Sequence, residues 1–187
     1  MIERNGVRWT IETHAIVSRE GFIADADGIM PPCLIVPSDQ KRFQAALSRA
    51  ALTIVGRKGH EAHSANGRRR LVLTSQVSGL SGNENITFWN PEGAPVEDAL
   101  SLAAPNGGTV ANAGGQRVMS LCLPWTDRFD LVVAEQCMIA NGIACLPGTR
   151  SVTDILLRLR EAGFAETTTV WIDAANGLRL HSFQRER

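Results

Sequence analysis

The 187-residue chain lacks the features that are typical of membrane-spanning and nucleic-acid-binding proteins. No apolar stretch approaches the roughly 20 residues that are needed to span a bilayer. Nineteen basic residues balance nineteen acidic ones, so the charge indicates no polyanionic partner, although Arg68–Arg70 is a local basic run. We therefore predict no membrane and no nucleic-acid partner. The length suits one domain with a full core, and no repeat or linker divides it, so we place a single domain over residues 1–187.

The chain is also poor in cysteine. The four cysteines are Cys33, Cys122, Cys137 and Cys145, and no two of them form a CxxC pair. Four cysteines in a chain of this size do not indicate a disulfide framework. The first five residues show no charged-then-apolar targeting signal. We therefore predict four free thiols in a reducing compartment, and hence a cytoplasmic protein.

Several signatures of nucleotide, metal and nucleophile sites are missing as well. There is no GxGxxG and no GxxxxGK[ST], so neither a Rossmann fingerprint nor a P-loop is present. His60 and His63 stand three residues apart, outside the HExxH pattern and without an obvious third ligand, so we predict surface histidines and no metal. No Ser-His-Asp arrangement can be argued from spacing.

What the chain does contain is an alternation of apolar strand-like segments with helical ones. Strands are predicted over 8–18, 52–55, 70–74, 86–89, 109–112 and 129–134. Helices are predicted over 38–49, 95–103, 114–123 and 151–163, the first capped by Ser38. Residues 165–172 and 178–183 predict an antiparallel hairpin with a glycine turn. The fold class is therefore α/β, with a central, mostly parallel mixed sheet flanked by helices and an antiparallel edge.

Asp39 and Phe43 stand four residues apart in the first predicted helix and therefore point to the same helix face. A carboxylate beside a ring on a core-facing helix predicts a desolvated acid next to a flat ligand. The alternative is a solvated aspartate near the positive end of the helix dipole, beside an ordinary core phenylalanine.

Polar residues follow several predicted strands at their carboxyl ends, where open α/β sheets hold their ligands. These are Gly56–Arg57, Thr74–Ser75 and Gly114–Arg117. Two glycines before a helix let a phosphate approach backbone N–H groups, and arginines can bind it through two hydrogen bonds. The segments together predict a nucleotide-phosphate site, and the alternatives are solvated arginines and tight helix–strand packing.

Taken in order, these residues resemble the dihydrofolate reductase fold family, which includes the reductase half of riboflavin deaminase-reductases. The resemblance covers roughly residues 14–147, and the rest of the chain matches only in pattern. It depends on the order and near-equal spacing of short motifs. These are Asp27-Gly-Ile-Met-Pro31, Pro37-Ser-Asp-Gln-Lys-Arg-Phe43, Gly56-Arg57-Lys58, Gly67-Arg68, Leu71-Val-Leu-Thr-Ser-Gln76, Gly114-Gly-Gln-Arg117 and Gly142 to Pro147.

The resemblance implies an NADPH-dependent reductase of folate and one-carbon metabolism. Such an enzyme transfers a hydride to a C=N bond of a small-molecule pterin, and the substrate expected before any other is dihydrofolate. Asp39 would be the catalytic acid and the only ionisable group in the pocket, with its pKa raised by burial. The implied substrate-binding residues are Ala15, Met30, Phe43 and Arg68, the last for a glutamate carboxylate. The implied cofactor-binding residues are Ile23, Gly56, Arg57, Lys58, Thr74, Ser75, Gly114, Gly115, Gln116, Arg117 and Val118. The family also implies a cis peptide between Gly114 and Gly115.

Some positions depart from the pattern of the folate enzymes. Gly59 stands where a threonine is usual, Met119 where a tyrosine is usual and Pro32 where a tryptophan is usual. The strand at 129–134 lacks the usual threonine, and His14 occupies a position that is usually apolar.

These departures leave two alternatives to dihydrofolate reduction. One is a riboflavin-biosynthesis reductase that acts on a ribosylamino-pyrimidinone. The other is a catalytically silent nucleotide-binding protein of the same fold. The oligomeric state stays open.

Overall fold

The computed structural model describes residues 1–186, in which strands and helices alternate along most of the chain. The strands are β1 (Ile2–Arg4), β2 (Val7–Ser18), β3 (Phe22–Asp25), β4 (Leu52–Gly56), β5 (Arg70–Leu73), β6 (Leu80–Gly82), β7 (Ile86–Trp89), β8 (Gly108–Asn112), β9 (Thr126–Ala134), β10 (Gly142–Ala144), β11 (Phe164–Asp173) and β12 (Leu178–Arg185). The helices are α1 (Pro37–Arg49), α2 (Arg57–Ala62), α3 (Val96–Ala103), α4 (Gln116–Cys122) and α5 (Val152–Glu161), and short 3-10 turns cover Pro32–Leu34 and Leu123–Trp125.

The main sheet has the strand order β11-β12-β9-β2-β8-β4-β5-β7-β6, with β1 paired to β2. Its centre is parallel, since β2 pairs with β8 and β9, β4 with β5 and β8, and β5 with β7 in that sense. Its edges are antiparallel through β12, β11 and β6. The predicted mixed α/β sheet with a closing hairpin is therefore confirmed. The strands β3 and β10, which are distant in the chain, pair antiparallel into a separate small sheet that the sequence did not predict.

Local sequence signals explain where two of the helices begin and end. The predicted Ser38 cap of α1 is wrong: the helix begins at Pro37, whose missing N–H costs no hydrogen bond in the first turn, and Ser38 Oγ donates instead to Asp173 Oδ2 at 2.7 Å. The backbone N–H of Asp154 donates to Ser151 Oγ at 3.1 Å and caps α5, as the sequence predicts. Gly163, with a φ of +83°, follows the end of α5 in the left-handed region that glycine adopts without a steric penalty.

The strand β2 divides the interior into an apolar side and a polar side. Because side chains alternate along a strand, Trp9, Ile11 and Val17 point to the face that α3, α4 and α5 cover. Glu12 and His14 point to the other face, where they line a cavity beside α1. Glu12 and His14 therefore face the space between β2 and α1.

The prediction of four free thiols is wrong for two of them. Cys33 and Cys137 form a disulfide, with their Cα atoms 5.3 Å apart. No local pattern predicts this pairing, because 104 positions separate the two residues, which meet only when the turn after β3 packs beside the end of β9. Cys122 and Cys145 are free and buried, and burial raises the pKa of both thiols to about 12.

No helix within the described residues is long and apolar enough to cross a membrane. Residues 1–186 also contain no group of three or more histidine, cysteine or acidic side chains that could hold a metal ion.

Candidate active site

Asp39 lies in the first turn of α1 and is only 7% exposed. Its Oδ1 accepts hydrogen bonds from Arg42 Nη2 at 3.1 Å and Arg42 Nε at 3.2 Å. Its Oδ2 accepts no hydrogen bond from any residue of the described chain. Burial raises the pKa of Asp39 above its ordinary value, and the neighbouring Arg42 guanidinium opposes that rise. The site therefore offers one carboxylate oxygen to a ligand and keeps the other in place.

Arg42 also reaches a second buried carboxylate. Its Nη1 donates to Asp130 Oδ2 at 3.2 Å. Asp130 in β9 accepts two more hydrogen bonds, from Arg128 Nε at 3.0 Å and Ser182 Oγ at 2.8 Å. Asp39, Arg42, Asp130 and Arg128 thus form a chain of alternating charges, in which each carboxylate has at least one guanidinium partner.

The expectation that Asp39 is the only ionisable group at this place is therefore wrong. Arg42 stands one helical turn after Asp39 and resembles any charged helix residue in the sequence. Asp130 lies 88 positions beyond Arg42 and gives no local signal of the contact. The sequence indicates a charged partner for Asp130 only through its position on an apolar strand close to Arg128, because a buried acid needs a partner.

Phe43 is half-buried, and its ring centroid lies 6.3 Å from that of His14 in an edge-to-face arrangement. The His14 side chain is only 4% exposed, with Nδ1 3.6 Å from Asp130 Oδ2 and Nε2 3.8 Å from Glu12 Oε2. Neither ring nitrogen has a hydrogen-bond partner. Burial lowers the pKa of His14 to about 4, although Asp130 acts in the opposite direction. The imidazole is therefore neutral at physiological pH.

The other residues expected to bind substrate lie in three different settings. Ala15 is buried in β2, and Met30 is 45% exposed in the loop between β3 and the turn at Pro32–Leu34. Arg68 donates from Nη2 to Ser48 Oγ at 3.2 Å, which places it beside the C-terminal half of α1. Asp39, Phe43 and Arg68 thus all lie on or against α1, whereas Met30 belongs to the loop that leads to it.

The carboxyl ends of β4 and β5 bring the first group of expected cofactor-binding residues together. Gly56 pairs with Leu73, so Arg57 and Thr74 follow directly on neighbouring parallel strands. Arg57 is exposed and donates to Glu61 Oε1 at 3.1 Å along α2. Lys58 and Ser75 are also exposed. Thr74 is buried, and its Oγ1 accepts the backbone N–H of Gln76 at 3.1 Å.

Gly114 and Gly115 link β8 to α4, with φ values of +94° and +85°. A Cβ on Gly114 would lie 2.5 Å from Met119 Cε, whereas a Cβ on Gly115 would meet only open space. The expected cis peptide is not present, since no peptide bond within residues 1–186 is cis. Two successive glycines with positive φ make this turn instead.

The remaining expected cofactor residues have mixed environments. Arg117 is exposed, and Gln116 donates from Nε2 to the carbonyl oxygen of Ala144 at 3.0 Å. Val118 is buried in the apolar core, and Ile23 packs against another part of it. Side-chain contact with a cofactor therefore fits Arg117 better than Val118 or Ile23.

The residues at this edge fit a dinucleotide cofactor. The exposed cations Arg57, Lys58 and Arg117 supply positive charge, and the open space before Gly115 leaves room for a phosphate next to the backbone.

No protein-family model and no curated protein sequence matches this chain. Solved structures do match it. A dihydrofolate reductase from Enterococcus faecalis, complexed with NADP(H) and RAB-propyl, superposes with a TM-score of 0.67 and 19% identity, over 95% of this chain and 97% of that one. A diaminohydroxyphosphoribosylaminopyrimidine deaminase/5-amino-6-(5-phosphoribosylamino)uracil reductase from Thermotoga maritima superposes with a TM-score of 0.65 and 17% identity, over 96% of this chain and 57% of that one.

A riboflavin biosynthesis protein from Shewanella sp. PV-4, described as putative, also matches. Its TM-score is 0.65 and its identity 13%, over 95% of this chain and 99% of that one. Together these structures confirm the resemblance at the level of the fold: the chain has a dihydrofolate reductase-like fold.

Proposed function

We propose that this chain is an NADPH-dependent reductase that transfers a hydride to a C=N bond of a pterin, with dihydrofolate as the first substrate to test. The observation that carries the proposal is the buried Asp39 carboxylate, which keeps Oδ2 free of hydrogen bonds one helical turn from Phe43 in α1. A free carboxylate oxygen accepts hydrogen bonds from the ring N–H groups of a pterin, and a phenylalanine ring packs on its flat face.

NADPH supplies the hydride when it is bound. Arg57, Thr74 and Ser75 would hold its 2′-phosphate, with the Arg57 guanidinium exchanging Glu61 for the phosphate oxygens. Gly114 and Gly115 would let the pyrophosphate approach the backbone. At this edge of the sheet the protein would therefore orient the cofactor and supply positive charge for its phosphates.

Asp39 would orient the substrate through Oδ2 and help to protonate the ring nitrogen, either directly or through a water molecule. Burial favours the protonated carboxyl, and Arg42 favours the carboxylate. The balance of these two effects sets the pH range in which Asp39 can hold or release a proton.

A second candidate is reduction of a ribosylamino-pyrimidinone. Two of the matching structures are named for riboflavin biosynthesis or for a step on a phosphoribosylamino-pyrimidine. The contact of Arg68 with Ser48 also favours this candidate, because a substrate without a glutamate tail would leave that contact intact. A nucleotide-binding protein without catalysis is the third candidate.

The deciding experiment follows NADPH oxidation optically with dihydrofolate and, separately, with the ribosylamino-pyrimidinone. Turnover with dihydrofolate supports the first candidate, and turnover with the pyrimidinone alone replaces it with the second. NADPH binding without turnover of either compound, or of any other pterin, leaves the third.

A further inference from the structure

A cavity of about 400 Å³ lies between α1 and the sheet face formed by β8, β2, β9 and β12. Three arginines line it, Arg42, Arg49 and Arg128, together with the carboxylates of Glu12 and Asp130. We refer to it as the α1 cavity. Charged groups in a partly enclosed space need partners of opposite charge or hydrogen bonds, so this lining favours a charged ligand over an apolar one.

Two of the three guanidinium groups have donors to spare. Arg42 is fully engaged, since all three of its nitrogens donate to Asp39 or Asp130. Arg128 uses only Nε, on Asp130, and the Arg49 side chain forms no hydrogen bond or ion pair with any residue of the described chain. Free guanidinium forks match the paired oxygens of a carboxylate or a phosphate.

His14 supplies an independent sign of a missing polar partner. Its side chain is 96% buried and lines the α1 cavity, yet neither Nδ1 nor Nε2 has a hydrogen-bond partner. Buried side-chain polar atoms nearly always have one. Each ring nitrogen is buried and faces a carboxylate oxygen just beyond hydrogen-bond distance, Asp130 Oδ2 at 3.6 Å from Nδ1 and Glu12 Oε2 at 3.8 Å from Nε2, so the ring would have to turn before either nitrogen could bind a ligand.

The two carboxylates then restrict what the ligand can be. Asp130 already accepts hydrogen bonds from Arg42, Arg128 and Ser182, so its charge is compensated. The Glu12 carboxylate forms no hydrogen bond within residues 1–186. It repels an oxyanion that has only acceptor atoms, but it can accept a hydrogen bond from an oxyanion that still carries a hydroxyl hydrogen.

We propose that the α1 cavity binds a phosphate that retains a hydroxyl hydrogen, either free or as the monoester of a small alcohol. Its oxygens bind Arg49 and Arg128, and its hydroxyl group donates to Glu12 or His14. The arginines supply affinity for the negative charge, and the acceptors supply selectivity against sulfate, which has the same shape and no hydrogen to donate.

The α1 cavity shares His14, Arg42 and Asp130 with the surroundings of Asp39, but it is separate from the expected cofactor edge. Arg49 is the last residue of α1, and Arg128 lies near the start of β9. The α1 cavity therefore opens towards the amino ends of the parallel strands, whereas Arg57 and Gly114 stand at the carboxyl ends. The proposal does not depend on the reductase activity, and its test needs neither NADPH nor a pterin.

The test is calorimetric titration of the intact protein with inorganic phosphate, glycerol phosphate and sulfate at about pH 5, which is below the second pKa of about 6 of a phosphate monoester, so that both phosphates retain a hydroxyl hydrogen. We expect saturable binding of phosphate at least about tenfold tighter than that of sulfate, on the scale of one lost charge-assisted hydrogen bond. Tighter binding of glycerol phosphate than of phosphate assigns the monoester as ligand, and the reverse assigns the free ion. Equal binding of phosphate and sulfate would overturn the proposal.

Two variants and one control place the binding in the α1 cavity. Arg49→Gln should weaken phosphate binding by roughly tenfold or more, because the variant lacks one of the two guanidinium groups that bind the phosphate oxygens. Glu12→Gln should raise the affinity for sulfate, because the amide can donate where the carboxylate repels. Arg150→Gln removes an exposed arginine before α5, on the other side of the sheet, and should change neither affinity. Phosphate binding that survives Arg49→Gln unchanged would contradict the site.

Nuclear magnetic resonance of the His14 ring nitrogens gives a readout that does not depend on any variant folding. Saturating phosphate should shift the His14 signals and leave those of His181, which already contacts Glu166 at 2.7 Å, in place. Unchanged His14 signals at saturation would also overturn the proposal.

Discussion

Arg42 binds a single oxygen of Asp39 through two of its nitrogens, at 3.1 and 3.2 Å, and leaves the other oxygen free. An arginine paired with a carboxylate usually engages both oxygens, one with each nitrogen. Here the third nitrogen of Arg42 donates to Asp130, which fixes the guanidinium from the opposite side. Asp39 therefore has one oxygen bound to Arg42 and one oxygen available to a ligand. The contact with Arg42 also affects the pKa of the Asp39 carboxyl.

Replacing Arg42 with glutamine should raise the pKa of Asp39 further, because Arg42 opposes the effect of burial. A folded-state pKa above the unfolded value of about 3.9 means that the folded protein binds the proton more tightly. The Asp39 carboxyl therefore contributes most to the stability of the fold at low pH, and this contribution falls as the pH rises through the pKa of the folded state. Carbon-13 resonance of the Asp39 carboxyl measures the midpoint, and Arg49→Gln, two turns along α1, should leave it unchanged.

Asp39→Asn should keep the fold and NADPH binding, while turnover falls by a factor of about 10² or more, the usual scale for an acid–base group. Asp98, also in the first turn of a helix and paired with Arg4, provides the matched control as Asp98→Asn. If Asp39 were only a charge at a helix end, both substitutions would cost under about 1 kcal/mol of stability and leave turnover intact. Steady-state kinetics and thermal unfolding on the two variants separate these outcomes.

NADPH should stabilise the protein against heat far more than NADH at equal concentration. The reason is that Arg57, Thr74 and Ser75 stand together at the ends of two paired strands, where a 2′-phosphate would bind. When NADPH is at a hundred times its Kd it stabilises the fold by about 2.7 kcal/mol, whereas NADH with a hundredfold weaker Kd stabilises it by about 0.4 kcal/mol at the same concentration, so the expected difference is about 2.3 kcal/mol. Arg57→Gln should abolish the difference, whereas Arg158→Gln, in α5, should not. Equal melting shifts with both nucleotides in the unmodified protein would remove Arg57 from this role.

Arg68→Ala should raise the KM for dihydrofolate by roughly ten- to a hundredfold with little effect on kcat, since a glutamate tail lies far from the reacting bond. A pterin without the tail should be reduced as before. Arg69→Ala, which removes the neighbouring arginine and its contact with Glu84, serves as the control. Unchanged kinetics with both substrates would leave Arg68 as a residue that only binds Ser48, and would favour a smaller pterin or a pyrimidinone.

The double variant Cys33→Ser, Cys137→Ser should unfold at a lower temperature than the parent chain. A disulfide that closes a loop of this length restricts the unfolded chain strongly, and removal of such a bridge costs about 2–5 kcal/mol. A reducing agent should lower the melting temperature of the parent chain by a similar amount. It should not lower that of the double variant, since Cys122 and Cys145 remain free in both.

The sequence predicted the features that depend on local patterns. The parallel sheet, the body of α1 and the capped α5 follow from strand-like runs, from the helical spacing of apolar residues and from the Ser151–Asp154 pair. The short strands β1, β3, β6 and β10 were missed, because their three or four residues carry little periodicity and, unlike those of β5 and β7, stand in no distinct apolar run.

The candidate site could be predicted only where the spacing of residues within one segment indicates a shared face, as it does for Asp39 and Phe43 in α1. Two of the contacts that change its chemistry are long-range, Arg42 with Asp130 and His14 with Asp130. Tertiary packing creates these contacts, and no spacing rule within one helix or strand encodes them. The peptide between Gly114 and Gly115 is trans, which differs from the cis geometry that the family resemblance implies.

The alternation along β2 has a consequence for how this chain can change in length. A one-residue insertion before Glu12 would turn every later side chain of the strand to the opposite face. His14 would then enter the apolar layer under α5, and Val17 would face the polar side. Both neighbours of β2 are paired in parallel, so neither can slide to absorb the shift without losing its own register. Insertions and deletions are therefore far better tolerated at the exposed turn of residues 174–176 than anywhere in this strand.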